Sequence, residues 1–254
     1  MLASATAGKC EPMHRTHGFK YWNKSMSTAA LDSAARATAP LKRNWFYWLT
    51  AMLIRLFSRP YFRVSIRGAA NVPPTGPLLM ICNHVSNLDP PLVGAYSPRE
   101  CHALAKEELF RAPIVRWLVP RLNTHPIHRA GIDRAALREC ERVVQGGAVL
   151  LVFPEGTRSP DGNLQEAKAG AAMIALHTHA PILPVYIEGT FAAMGRGKSW
   201  PRPSKITITF GEVFHIENLA SPGTTRHQLH EILAKEMMKQ IAQVKSEGSM
   251  ERQK

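Results

Sequence analysis

The stretch Ala148-Val149-Leu150-Leu151-Val152-Phe153 runs directly into Pro154-Glu155-Gly156-Thr157-Arg158-Ser159. Six consecutive apolar residues with no alternation predict a short strand buried on both faces. Gly146-Gly147 precedes it and stops a helix predicted over Ile132–Gln145. The run Leu78–Cys82 has the same character and also opens into a polar loop. Further strands are predicted at Phe62–Ile66, His102–Ala105, Ile182–Ile187 and Ile206–Phe210. Helical patterns fall between them at Pro91–Tyr96, Pro113–Val119 and Gln165–His179. A terminal amphipathic helix is predicted over Thr225–Val244, with Ile232, Leu233, Met237, Ile241 and Val244 on one side. Alternation of this kind predicts an α/β fold: a mixed, mostly parallel sheet flanked by helices. Active groups in such folds lie in loops at the carboxyl ends of strands. One catalytic domain is expected over residues 61–215, with a helix and tail over 216–254.

Residues 1–40 contain scattered charges and no continuous apolar core, so a secretory signal is not expected there. This extension is expected to be disordered. Met26 is readable as an alternative start, which would place residues 1–25 outside the native protein. Trp45–Phe57 (WFYWLTAMLIRLF) is the most apolar run. As a helix it reaches only about 20 Å, short of the roughly 20 apolar residues that span a bilayer. Arg55 interrupts it, and Arg59-Pro60 is expected to end it. Trp45, Tyr47 and Trp48 behind Lys42-Arg43 suit the head-group region. Residues 41–60 are therefore read as an amphipathic membrane-interface helix in preference to a buried core helix.

The chain carries a net charge of +13, which favours anionic partners. The basic residues do not interleave with aromatics as in a base-stacking surface, so nucleic acid is not expected as a partner. Cys10, Cys82, Cys101 and Cys140 have neither zinc-site nor disulfide-scaffold spacing. They are read as reduced thiols of a protein at the cytoplasmic face of a membrane.

Two loops carry the chemistry. Asn83-His84-Val85-Ser86-Asn87-Leu88-Asp89 follows the strand Leu78–Cys82. In a helix, His84 and Asp89 would lie about 140° apart around the axis. In a loop leading into a helix at Asp89-Pro90-Pro91 they can meet. Asp89 could then accept from Nδ1 of His84 and leave Nε2 free to take a hydroxyl proton. Read from these residues alone, Asp89 serves equally well as a helix N-cap and His84 as an ordinary loop histidine. In the second loop, Gly156 permits close backbone approach. Arg158 offers a planar fork suited to phosphate, and Glu155 an acceptor for a substrate hydroxyl. No G-K-[ST] follows, which argues against a nucleotide-binding P-loop.

Together the two loops resemble the glycerolipid acyltransferase family, which includes the 1-acyl-glycerol-3-phosphate acyltransferases. Asn83, His84 and Asp89 match its N-H-x-x-x-x-D block, and Phe153–Ser159 matches its F-P-E-G-T-R-S block in full. Ala105-Lys106-Glu107-Glu108-Leu109 is similar to its A-K-x-E-L stretch. Pro126-Ile127-His128-Arg129 matches a third block at its arginine, although Asn123-Thr124-His125 departs from the usual pattern upstream. Ile182-Leu183-Pro184-Val185 matches an apolar block around proline. The resemblance covers about residues 61–215.

It implies transfer of a fatty acyl group from acyl-CoA or acyl carrier protein to the hydroxyl of 1-acyl-glycerol-3-phosphate. His84 would be the general base, supported by Asp89. Asn83, Lys106, Arg129, Glu155, Gly156, Thr157 and Arg158 would bind substrate, with Lys106, Arg129 and Arg158 at the acceptor phosphate. Neither a metal nor a cofactor beyond the thioester donor is expected. The partners implied are the two substrates, an anionic membrane surface and, with that donor, acyl carrier protein. Another lysolipid acceptor is an alternative within the class. A non-catalytic basic protein that binds membranes or nucleic acid is the alternative outside it. His102, His125 and His128 are expected to be structural or surface residues.

Overall fold

The computed structural model describes residues 44–111, 113–127, 134–216 and 225–250. The readings of residues 1–40, Met26, Lys42-Arg43, His128 and Arg129 lie outside the described residues. Among the described residues, seven strands form one sheet: β1 (Ser65–Arg67), β2 (Leu78–Cys82), β3 (Cys101–Lys106), β4 (Thr124–Ile127), β5 (Val149–Val152), β6 (Ile182–Glu188) and β7 (Thr207–Phe210). Their order is β1-β7-β6-β2-β5-β3-β4. Every neighbouring pair is parallel except β6–β7. The helices are α1 (Trp45–Phe62), α2 (Asp89–Tyr96), α3 (Pro113–Leu118), α4 (Arg134–Gln145), α5 (Ala169–Thr178), α6 (Thr190–Met194) and α7 (Arg226–Met250).

The pleat of the central strands divides the core in two. Leu78, Met80 and Cys82 of β2 point to one face with Leu92 and Val93 of α2 and Phe62 of α1. Leu79 and Ile81 point to the other, with Leu137 and Val144 of α4, Ile174 of α5 and Leu233, Met237 and Ile241 of α7. All residues of β2 and β5 are buried, which is why both read as unbroken apolar runs.

Several boundaries differ from expectation. The predicted strand at Phe62–Ile66 begins only at Ser65, because α1 runs on through Pro60 to Phe62. Phe62 is buried there, and Arg63 ends the helix in the left-handed region at φ 45°, with its N–H bonded to the Arg59 carbonyl. Helix α5 starts at Ala169 rather than Gln165. Helix α7 extends to Met250, where Arg67 of β1 donates to the Gly248 carbonyl at 2.6 Å. Ile232 lies outside its buried face, which is formed by Leu233, Met237, Ile241 and Val244. Strand β4 and helix α6 were not expected.

The aromatics of α1 divide between two roles. Tyr47 is buried; its hydroxyl donates to the Gly94 carbonyl at 2.9 Å and accepts from the Cys101 N–H at 3.1 Å. Trp48 donates from Nε1 to Glu100 at 2.6 Å. These two fasten the helix to α2 and β3 instead of facing outward. Trp45 (72% exposed), Leu49, Met52, Leu53, Leu56 and Phe57 (70%) form an uncovered apolar side. Phe46 meets the exposed Trp117 of α3 edge-on, at 5.8 Å between ring centres. Among the described residues, no helix is long and apolar enough to cross a membrane.

Candidate active site

Strands β2 and β5 are parallel neighbours with Ile81 opposite Val152, so they end together. Their following loops meet at one edge of the sheet, although they are far apart in sequence. His84 sits where they meet. Oδ2 of Asp89 accepts from Nδ1 of His84 at 2.9 Å, and from the N–H groups of Val85 and Ser86 at 2.7 Å each. Asp89 is fully buried and is the first residue of α2, behind Leu88, which makes no side-chain cap. The carboxylate therefore turns back to organise the loop and does not cap the helix. Because it is an acceptor, the neutral imidazole carries its proton on Nδ1, and the lone pair of Nε2 is free. Pro90 and Pro91 have no N–H, which removes two of the unpaired donors that would otherwise crowd this helix start.

The backbone of His84 is held from the other loop. Its N–H donates to Oε1 of Glu155 at 3.0 Å, and its carbonyl accepts from the Ser159 N–H at 2.8 Å. The imidazole stacks on Phe153, with 4.3 Å between ring centres and 29° between planes. The side chain remains 17% exposed, enough to reach a ligand. These contacts fix the ring's position, its tautomer and both backbone polar groups of one residue.

Asn83 is buried beneath the loop. Its amide donates to the Ile187 carbonyl at 3.0 Å and accepts from the Ile187 N–H at 2.8 Å, tying β2 to β6. Ser86 donates to the Met194 carbonyl at 2.6 Å. Glu155 is 1% exposed, with Oε2 unpartnered among the described residues. Burial pushes its carboxyl up to about 7, and the nearby Asp89 carboxylate adds to the rise; the His84 and Gln165 N–H groups oppose it.

Gly156 adopts φ +63°, and a Cβ there would lie 2.9 Å from the Lys168 side chain, so glycine lets Lys168 lie across the loop. Thr157 and Arg158 are half-buried beside it, and no carboxylate among the described residues pairs with Arg158. Lys106 ends β3 at the same sheet edge, in register with Ile127 of β4. Cys82 is fully buried, which raises its thiol well above the ordinary value and leaves it no role as a nucleophile. A cavity of about 250 Å³ borders the loop on the β6 side, lined by Asn83, Val85, Asp161, Asn163, Glu188 and Phe191. Asn163 and Ser159 hold the Asp161 carboxyl at about 2.

Three contributors were not singled out from sequence: Phe153 as the ring under His84, Ser159 as donor to its carbonyl, and Lys168 over Gly156. Phe153 and Ser159 lie inside the Phe153–Ser159 run, which is their signal in the sequence. Lys168 had none. His102 and His125 pair at 3.0 Å, and His125 contacts Glu139 at 2.9 Å, joining β3, β4 and α4 away from the His84 loop.

The arrangement can withdraw a proton from a hydroxyl at Nε2, with Asp89 stabilising the imidazolium that forms. Comparison with known proteins identifies what this chain is similar to. A family model described as Acyltransferase matches residues 63–188. A chloroplastic 1-acyl-sn-glycerol-3-phosphate acyltransferase of Brassica napus is 29% identical over 178 residues, covering 68% of this chain and 49% of that protein. A 1-acyl-sn-glycerol-3-phosphate acyltransferase of Pseudomonas aeruginosa is 27% identical, covering 69% and 67%. The chain spans about half the length of the first curated relatives it matches. The crystal structure of a 1-acyl-sn-glycerophosphate acyltransferase from Thermotoga maritima aligns with TM-score 0.63 and 28% identity, over 86% of this chain and 89% of that one. The family model over residues 63–188, together with the aligned fold, shows that this chain belongs to the acyltransferase family.

Proposed function

We propose that the protein transfers a fatty acyl group from acyl-CoA or acyl carrier protein to the free hydroxyl of 1-acyl-glycerol-3-phosphate, giving phosphatidic acid. The observation that carries this reading is the His84–Asp89 pair, with Nε2 free and His84 fixed between two loops. In the reaction Nε2 takes the hydroxyl proton and the oxygen attacks the thioester carbonyl. The carbon–sulfur bond then breaks, and the proton passes from the imidazolium to the departing thiolate. General-base assistance of this kind contributes about 10²–10⁴ in rate.

The acceptor phosphate binds on the β5 side. Arg158 supplies a guanidinium there with no paired carboxylate among the described residues, and Lys168 adds charge above Gly156. Lys106 and Arg129 join them on the strength of the family motif. The β6 side carries the carboxylates Asp161 and Glu188 and is unsuited to a phosphate. Glu155 and Asn83, expected to contact substrate, act through the His84 loop instead; their buried side chains and backbone bonds support that role.

The exposed apolar side of α1 docks on the membrane that holds the lipid acceptor, at its cytoplasmic face. The names of the relatives support phosphatidic acid as product. The deciding experiment incubates purified protein with labelled acyl-CoA and a panel of lysolipids. Labelled phosphatidic acid as the dominant product is expected. Preferential acylation of a lysolipid without a phosphomonoester would overturn the acceptor assignment.

A further inference from the structure

The segment Gly195–Lys205 (GRGKSWPRPSK) joins α6 to β7 and supplies no side chain to the His84–Asp89 pair. It holds Arg196, Lys198, Arg202 and Lys205, and no Asp or Glu occurs between Glu188 and Glu212. All four basic residues are exposed, and no carboxylate among the described residues pairs with them. Trp200, in their midst, is 84% exposed. An unpaired cationic loop with a bare tryptophan at its tip matches the chemistry of a lipid–water boundary, where cations meet head-group phosphates and indole sits at head-group depth.

Its placement makes the loop more than a solvated charge run. Glu188 ends β6 opposite Thr207 at the start of antiparallel β7, so the loop rises from the sheet edge that carries His84. Gly195 forms a bridge with Ser86, and the Ser86 hydroxyl donates to the Met194 carbonyl, so the loop is fastened to the catalytic loop. At its other end Tyr61 of α1 donates to the Pro201 carbonyl at 3.0 Å. The exposed side of α1, through Phe57 and Tyr61, thus continues into the loop. Bonds from the Arg202 N–H to the Ala193 carbonyl (2.9 Å) and from Ser204 to the Gly189 carbonyl (3.2 Å) hold its base, and Gly197–Trp200 projects.

We propose that Gly195–Lys205 is a second membrane-docking element, selective for anionic head groups, which sets the active-site edge against the bilayer while α1 supplies the apolar contact. This rests on the reading that α1 docks on a membrane. Continuity with the apolar side of α1 and the exposed indole favour a lipid surface over an acidic protein as the occupant.

The test is co-sedimentation with vesicles of phosphatidylcholine alone and of phosphatidylcholine with phosphatidylglycerol. It compares wild type, the double variant Lys198→Ala/Arg202→Ala, and Phe57→Ser in α1. At about fivefold per cation, the double variant should partition about 25-fold less onto the anionic vesicles, with no change on the neutral ones. Turnover of vesicle-embedded acceptor should fall in step, and turnover of a dispersed short-chain acceptor should hold. Unchanged anionic binding by the double variant, with Phe57→Ser impaired, overturns the loop's role and leaves α1 standing. Loss of transfer from acyl carrier protein with unchanged vesicle binding also overturns it, in favour of a protein partner. Failure of wild type to bind either vesicle overturns the membrane reading itself.

Discussion

Replacing Glu155 by glutamine separates a buried brace from a substrate ligand. Burial lifts the Glu155 carboxyl from 4.5 to about 7. Between those values the folded chain keeps a proton that the unfolded chain has released. The native state is therefore favoured most below pH 4.5 and loses stability as pH rises through 7. At about 1.4 kcal/mol per pH unit of difference, the loss amounts to roughly 3 kcal/mol by pH 8. Glutamine does not ionise, and its carbonyl can still accept the His84 N–H. Like the protonated acid it is neutral, so the two proteins should be matched near pH 5. Urea unfolding followed by circular dichroism should give Glu155→Gln a growing advantage, reaching about 3 kcal/mol by pH 8. A pH-independent difference, or a variant less stable at pH 8, would mean that burial does not hold Glu155 protonated in the folded chain. Turnover of Glu155→Gln should stay within about fivefold of wild type, the equivalent of ~1 kcal/mol for one retained but neutral hydrogen bond. A selective rise in acceptor KM would instead mean that Glu155 touches substrate.

Other perturbations address the neighbouring groups. Asp89→Asn can keep the loop's hydrogen bonds through its carbonyl but loses the charge facing the imidazolium, so kcat should fall by about 10²; wild-type turnover would remove Asp89 from the mechanism. Asn83→Ala leaves the N–H and carbonyl of Ile187 unpaired in a buried setting, at a cost of about 2–4 kcal/mol measured by urea unfolding. Unaltered stability with raised KM would return Asn83 to substrate binding. Arg158→Ala should raise the KM for a phosphorylated acceptor about tenfold or more, consistent with loss of a charge-assisted bond, and an unchanged KM would take Arg158 out of the phosphate site.

The central fold could be read from sequence because β2 and β5 are covered on both faces, which forces continuous apolar runs. Strand β4 escaped because Thr124-His125-Pro126-Ile127 lies at the sheet edge, pairs among the described residues only with β3, and tolerates a proline there. Helix α1 ran past Pro60 because burial of Phe62 outweighed the local break. Within the site, His84 and Asp89 were recognisable because their contact is local once a loop is assumed. The inward turn of Glu155 and the Ser159 bond to His84 depend on β5 lying beside β2. Strand order has no signature in either loop, so these residues read as ligands or spacers. Tyr47 and Trp48 turn inward for the same reason: their hydroxyl and indole N–H find partners in distant segments.

If His84 is the general base of an acyl transfer, removing its imidazole stops turnover without unfolding the chain. Labelled acyl-CoA and 1-acyl-glycerol-3-phosphate, incubated with wild type and with His84→Ala, test it most directly, with the unfolding midpoint of each protein measured alongside. Labelled phosphatidic acid is expected from wild type, with a loss of more than about 10²-fold in kcat for a folded variant. Transfer by His84→Ala at the wild-type rate would contradict it.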